Sequence, residues 1–191
     1  MSFVRRPLRA AFVAVALAVA APAARAQMAP NADAATEVRK RFLMDLDTLQ
    51  AKFVALAEAI PADKYAWRPS EGVRSVGEAF QHVSSEYYLF TPMAYGVAPS
   101  PLIQRSADGM KKFEAMNTKP DVLKHLKEGF AFMKQSIEGI PTDKITGEQK
   151  LFGGPHTIIE TSFIMSGDLH EHLGQLIAYA RSIGVKPPWS K

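Results

Sequence analysis

The chain has 191 residues, with 23 Lys+Arg against 19 Asp+Glu, a formal charge of +4, five histidines and no cysteine. The lack of cysteine excludes disulfides, thiol nucleophiles and thiolate zinc sites, so stability must come from an apolar core. Arg5, Arg6, Arg9 and Arg25 carry the whole basic excess, and the 165 residues from Gln27 onward hold 19 basic and 19 acidic side chains. No basic stripe is left there to neutralise phosphates, which excludes nucleic acid as a natural partner.

The first 26 residues contain no acid. A basic start, the apolar run Ala10–Ala21 and the small-residue signature Ala24-Arg25-Ala26 before Gln27 have the form of a cleavable signal peptide. The apolar run is too short to span a bilayer, and a short membrane anchor is the alternative reading. Arg5-Arg6 also fits a twin-arginine route. Residues 1–26 are therefore expected to be a signal peptide, 27–36 a disordered leader and 37–188 a single domain, periplasmic or secreted, with no stable membrane insertion after cleavage.

Four stretches then place apolar residues three and four apart, the spacing of a helix that buries one stripe. The first carries Phe42, Leu46, Leu49, Phe53, Leu56 and Ile60, and the second Val76, Phe80, Val83, Tyr87 and Phe90. The third runs through Leu123, Leu126, Phe130, Met133, Ile137 and Ile140. The fourth runs through Ile158, Ser162, Met165, Leu169, His172, Leu176, Tyr179 and Ile183. No stretch alternates over a strand's length, so little or no sheet is expected and the fold class is all-α, a four-helix bundle.

The boundaries have local causes. Pro61 and Pro141 cannot continue the helices before them. Ser75 with Glu78 fits a capping box, Asp121 suits a first helical turn, and Gly184 before Pro187-Pro188 stops the last helix. Residues 91–119 form a long crossover between helices two and three, with a short helix expected around 106–116. Ile60-Pro61-Ala62-Asp63-Lys64 returns eighty residues later as Ile140-Pro141-Thr142-Asp143-Lys144. Two packed helix–loop–helix halves would explain this; so would chance reuse of a helix-stop phrase.

Two histidines interrupt apolar faces. An unpaired buried imidazole would cost about 1–3 kcal/mol, so each needs a hydrogen bond or a metal. His172 has Asp168 one turn before it, and the two can converge on one cation or bond each other. His82 has Glu78 and Glu86 one turn to either side; either can orient its ring, and Glu86 can also serve as a ligand. His125 lies off the third helix's stripe and is expected in solvent, His156 sits where loop packing or a cap is usual, and His170 points across the helix from Asp168 and His172. Neither a phosphate-binding glycine loop nor a serine nucleophile elbow occurs.

The stretch Tyr65-Ala66-Trp67-Arg68-Pro69, then Val73-Arg74-Ser75-Val76-Gly77-Glu78 and Gln81-His82-Val83, resembles the approach to helix two in DinB-like proteins. Asp168-Leu169-His170-Glu171-His172-Leu173-Gly174-Gln175-Leu176, with Tyr179-Ala180-Arg181 and Gly184-Val185-Lys186-Pro187-Pro188, resembles the last helix and tail of that family. The likeness covers roughly residues 37–188. It implies a four-helix bundle with a long crossover, often a homodimer. It also implies a divalent metal, such as zinc or nickel, on one histidine of helix two and an i, i+4 histidine pair of the last helix.

Carried over by position, His82 and His172 match two of those ligands, and Asp168 stands where the third is usually histidine. A His82, Asp168, His172 set is a 2-His-1-carboxylate site suited to zinc, iron(II) or manganese, or a relic in which Asp168 only holds His172. Family activities include thiol transfer and a maleylpyruvate isomerase-like reaction. Export argues against thiol transfer, since the low-molecular-weight thiols are mainly cytoplasmic. The expected function is metal-assisted hydrolysis or group transfer on a small-molecule substrate, with Trp67, Glu86 and Tyr87 bordering the substrate side. The rival is a non-enzymatic bundle that binds a ligand or partner.

Overall fold

The computed structural model describes residues 31–151 and 154–190. The proposed signal peptide and the start of the leader lie outside the described residues. Helix α1 spans Ala32–Ala59 and begins inside the stretch read as leader. Asn31 caps it, its side chain accepting from the Ala34 N–H at 2.8 Å, and Ala35 is fully buried. That burial, together with the high helix propensity of alanine, draws residues 32–36 into the helix.

Helix α2, Val76–Tyr95, opens with the expected capping box: the Ser75 side chain accepts from Glu78 N–H, and the Glu78 carboxylate accepts from Ser75 N–H at 2.7 Å. It runs past Phe90 and through Pro92. Pro92 costs the helix one bond, the one an N–H there would make to the Tyr88 carbonyl, and Gly96 in the left-handed region (φ 65°) closes the turn that follows. Helix α3, Ala107–Glu114, is the short helix of the crossover, capped by Ser106. Helix α4, Lys119–Glu138, and helix α5, Ile158–Ser182, follow. Between them lies a two-stranded antiparallel hairpin, β1 Glu148–Leu151 and β2 Gly154–Thr157, with Glu148 opposite Thr157. Strands of four residues are too short to show alternation in the sequence.

The chain is thus mostly helical. Helix α1 packs on α4 and α5, and α2 packs on the same two from the other side. Phe42, Leu46, Leu49, Phe53 and Leu56 of α1 meet Leu126, Phe130, Met133 and Ile137 of α4 and Leu169 and Leu176 of α5 in one core. Each such fully buried side chain contributes about 1.5–3 kcal/mol. No helix among the described residues is long and apolar enough to cross a membrane.

Helix α2 is buried on almost every side, Gln81, Ser84, Ser85 and Thr91 included. Its apolar stripe accounts for one face; α3 and the crossover cover another. That cover also buries His125, contrary to the expectation of a solvated residue. The Phe113 ring lies 4.6 Å from the His125 ring, and His125 Nδ1 is 2.7 Å from Gln81 Nε2, which also donates to the Met116 carbonyl. Burial holds His125 below the usual histidine range.

The sequence echo has a structural counterpart. Each copy forms a 3-10 turn, Ala62–Lys64 and Thr142–Lys144, just after a long helix. The Lys64 N–H donates to Pro61 O at 3.0 Å and the Lys144 N–H to Pro141 O at 2.9 Å. Lys119 Nζ donates to the carbonyls of Glu58 and Ile60 at the end of α1, and Arg39 Nη1 donates to the Ile140 carbonyl at the end of α4. Arg39 and Lys119 are offset by the same eighty residues as Ile60 and Ile140. Each half thus supplies a cation to the negative end of the other half's helix, which favours the two-halves reading over chance.

Gly129 of α4 sits where a Cβ would meet Cδ2 of Tyr87 at 2.6 Å, and that ring is fully buried 4.6 Å from Phe130. Helix propensity alone favours alanine over glycine by about 1 kcal/mol, while overpacking costs about 1–3 kcal/mol. Gly129→Ala is expected to lower unfolding stability in urea by about 1–2 kcal/mol. Increased stability would mean that the Tyr87 ring yields freely.

Candidate metal centre

The capping box that starts α2 sets the phase of its next turns. It brings His82 and, one turn on, Glu86 to the side that faces α5. From α5, His172 meets them. One donor atom from each of His82, Glu86 and His172 lies within 4.8 Å of the others. His82 Nε2 is 3.2 Å from Glu86 Oε1, and His172 Nε2 is 3.3 Å from Glu86 Oε2. The two imidazoles stand edge to face, ring centres 5.1 Å apart.

Both outer ring nitrogens are occupied. His82 Nδ1 is 2.7 Å from Glu114 Oε1 on α3, whose Oε2 accepts from Arg74 Nε at 3.3 Å. His172 Nδ1 is 3.3 Å from Gln175 Oε1, and Gln175 Nε2 donates to the Tyr179 hydroxyl. With Nδ1 engaged outward, each Nε2 is turned toward Glu86, the orientation that a metal-binding histidine needs. Trp67 packs edge-on against Tyr179 at 5.6 Å, at the far end of this chain of contacts.

The charges support one another. Burial alone would raise the Glu86 carboxyl, but His172 and His82 bring it down to about 2. Burial would lower His82, yet its bonds to Glu114 and Glu86 lift it to about 9. Glu86 raises His172 against the opposing effect of burial. Glu114 is likewise held low, its burial outweighed by His82 and Arg74. With only protons available, Glu86 is therefore anionic and favours the protonated form of both imidazoles.

A divalent cation fits this arrangement. Glu86 Oε2 is buried and makes no hydrogen bond, although it lies 3.3 Å from His172 Nε2. Nitrogen and oxygen donors about 2.0–2.2 Å from zinc stand roughly 3.4 Å apart in tetrahedral geometry, close to the 3.2 Å from His82 Nε2 to one Glu86 oxygen and the 3.3 Å from His172 Nε2 to the other.

Of the residues singled out in the sequence, His82 and His172 come together. Asp168 stands at the rim: its Oδ1 is 3.8 Å from His172 Nε2 and its side chain is 38% exposed, against 9% for Glu86. Burial and the Glu86 charge push Asp168 up to about 6. Tyr87 packs its ring against Phe130 of α4, and Trp67 packs against Tyr179. His170 pairs with Asp45 of α1 at 3.1 Å, and Asp45 also accepts from the Ser166 hydroxyl. Glu114 and Gln175 join the site without being singled out by the sequence pattern. Gln175, three residues after His172, carried a helical signal; Glu114 arrives from the crossover and carried none.

The sequence profile described as the DinB superfamily matches residues 45–176. Among solved structures, a DinB-like protein from Bacillus cereus is similar at a TM-score of 0.63 and 11% identity, over 78% of this chain and 95% of that one. A DinB-like protein from Bacillus subtilis is similar at 0.58 and 20% identity, over 75% of this chain and 92% of that one. No curated protein matches.

With metal absent, the ion pairs set a pH window. His82 is raised from 6.5 to about 9, so its contribution is complete below pH 6.5 and lost as pH rises through 9. Glu86 is lowered from 4.5 to about 2, so its contribution is complete above pH 4.5 and lost as pH falls toward 2. Chelator-treated protein is expected to lose thermal stability between pH 6.5 and 9, and Glu86→Gln to flatten that slope. A melting temperature that is level over this range in the wild type would contradict the assignment.

Proposed function

The chain belongs to the DinB superfamily, and we propose that it is an exported member holding one divalent cation between His82, Glu86 and His172, with Asp168 at the rim. The observation that carries this reading is the buried Glu86 carboxylate, whose Oε2 makes no hydrogen bond and whose two oxygens each face one imidazole nitrogen with its opposite edge already engaged. The donor set is two nitrogens and a carboxylate, which suits zinc, iron(II) or manganese. The four long helices are read as a four-helix bundle with α3 in its crossover, and the family resemblance favours a homodimer.

The reaction class is metal-assisted hydrolysis or group transfer on a small molecule. The cation, when bound, supplies Lewis-acid activation of a substrate oxygen or of water. His82 and His172 each present Nε2, while Glu114 and Gln175 keep their rings from turning. Asp168 lies at the solvent side of the site, where its carboxylate can take up or release a proton. Export is supported by the acid-free first 26 residues and by the cleavage signature that ends them.

A second reading has an observation of its own. His82 and His172 both pair with Glu86 without metal, as a non-enzymatic, ligand-binding helical domain would require of a buried polar network.

Metal content of the mature, tag-free protein, measured by plasma mass spectrometry, separates the two. Near-stoichiometric metal that is lost in His82→Ala, Glu86→Ala and His172→Ala supports the first reading. Metal-free protein that also ignores added zinc, nickel, iron and manganese supports the second.

Because His82 must lose a proton to bind metal, affinity is expected to fall below pH 9 by about tenfold per pH unit for each proton displaced. Asp168→His, which supplies the histidine that the resemblance implies there, is expected to tighten zinc binding, whereas Asp168→Ala should leave most of it. Chelator-competition titrations check both. Loss of zinc in Asp168→Ala equal to that in Glu86→Ala would move Asp168 into the ligand set.

A further inference from the structure

The crossover between α2 and α4 does more than connect them. Helix α3 is anchored at Phe113, a buried ring 5.7 Å from Tyr88 and 4.6 Å from His125. Its next residue, Glu114, turns the other way. Glu114 Oε1 lies 2.7 Å from His82 Nδ1, and Oε2 takes the Arg74 guanidinium at 3.3 Å. Arg74 immediately precedes the capping serine of α2. The carboxylate is thus held at one oxygen by the base of α2 and places the other against the imidazole. Its side chain is only 18% exposed, so water competes poorly for that imidazole edge. His172 has only the neutral Gln175 in the corresponding place, at 3.3 Å.

We propose that Glu114 is a positioning residue for the metal centre, the carboxylate that fixes His82 with Nε2 facing the cation and thereby couples the crossover helix α3 to metal occupancy. This rests on the metal-binding reading of His82, Glu86 and His172. A carboxylate on the far nitrogen holds the ring in one tautomer and makes it a stronger donor. The coupling is reciprocal: an ordered α3 tightens the metal, and the metal, by holding His82, tightens α3. The Phe113 anchor lets α3 fold without the Glu114 contact, so the effect belongs to the site and not to the fold.

The test is zinc affinity by chelator competition at fixed pH for the wild type, Glu114→Ala, Glu114→Gln and His82→Ala, alongside hydrogen exchange of residues 107–114 with and without zinc. Glu114→Ala is expected to weaken zinc about 10–100-fold at unchanged helicity. Glu114→Gln, which keeps an acceptor oxygen, should recover most of that loss. Zinc should slow exchange in residues 107–114 of the wild type but not of Glu114→Ala.

If His82→Ala loses zinc while Glu114→Ala binds like the wild type, the metal site stands and this inference falls. If the wild type takes up none of zinc, nickel, iron(II) and manganese, both fall. Should Glu114→Ala fail to fold, Glu114→Gln and wild-type exchange decide. Exchange in residues 107–114 that is indifferent to zinc overturns the coupling.

Discussion

A carboxylate in a helical core has to be answered by positive charge. Glu86 lies inside the helical domain, and an ionised carboxylate buried alone would cost several kcal/mol. Much of the surrounding design follows from that demand. Two imidazoles reach it from different helices, and each is backed by a second polar group on its outer edge. Those outer groups require partners in turn, Arg74 for Glu114 and Tyr179 for Gln175. A polar line therefore runs from the start of α2, through the centre, to the far part of α5. The apolar core closes around it, with the Tyr87 ring next to Glu86 sealed against Phe130 and Gly129.

The same demand explains why α2 is so thoroughly enclosed. A helix with one apolar stripe needs cover on that stripe only. Here a further face carries Gln81, Ser84 and Ser85, buried all the same. Cover comes from the crossover, whose backbone approaches so closely that a Cβ at Gly77 would run into the Asn117 carbonyl. Residues 91–119 thus shape the interior of the domain as well as joining its parts.

The helices were legible because burial of one face leaves a period near 3.6 in the sequence. The buried residues of α1 and α4 fall where the stripes put them, Phe42 to Leu56 and Leu126 to Ile137. The caps were equally plain, since Ser75–Glu78 is a local chemical unit. The centre was legible only in part. His82 and His172 stood out as imidazoles in apolar surroundings. Spacing could not tell which acid turns inward, because Glu86 follows His82 by four and Asp168 precedes His172 by four. Helix rotation decides it: Glu86 lies between buried Ser85 and Tyr87, whereas Asp168 follows exposed Gly167. Glu114 and the burial of His125 arise from how the crossover docks, and tertiary docking leaves no periodic trace. The continuation of α2 through Pro92 was hidden for a different reason, since a proline inside a helical pattern reads as a stop.

The crossed lysine and arginine contacts bear on how the domain comes apart. Lys119, which opens the second half, satisfies carbonyls at the end of the first long helix, and Arg39 in the first half does the same for the second. Separating the halves would hand these carbonyls to water and open the one core that both halves line. Unfolding is therefore cooperative across the repeat. A fragment cut between the halves would expose its side of that core and is an unfinished protein, not a smaller domain.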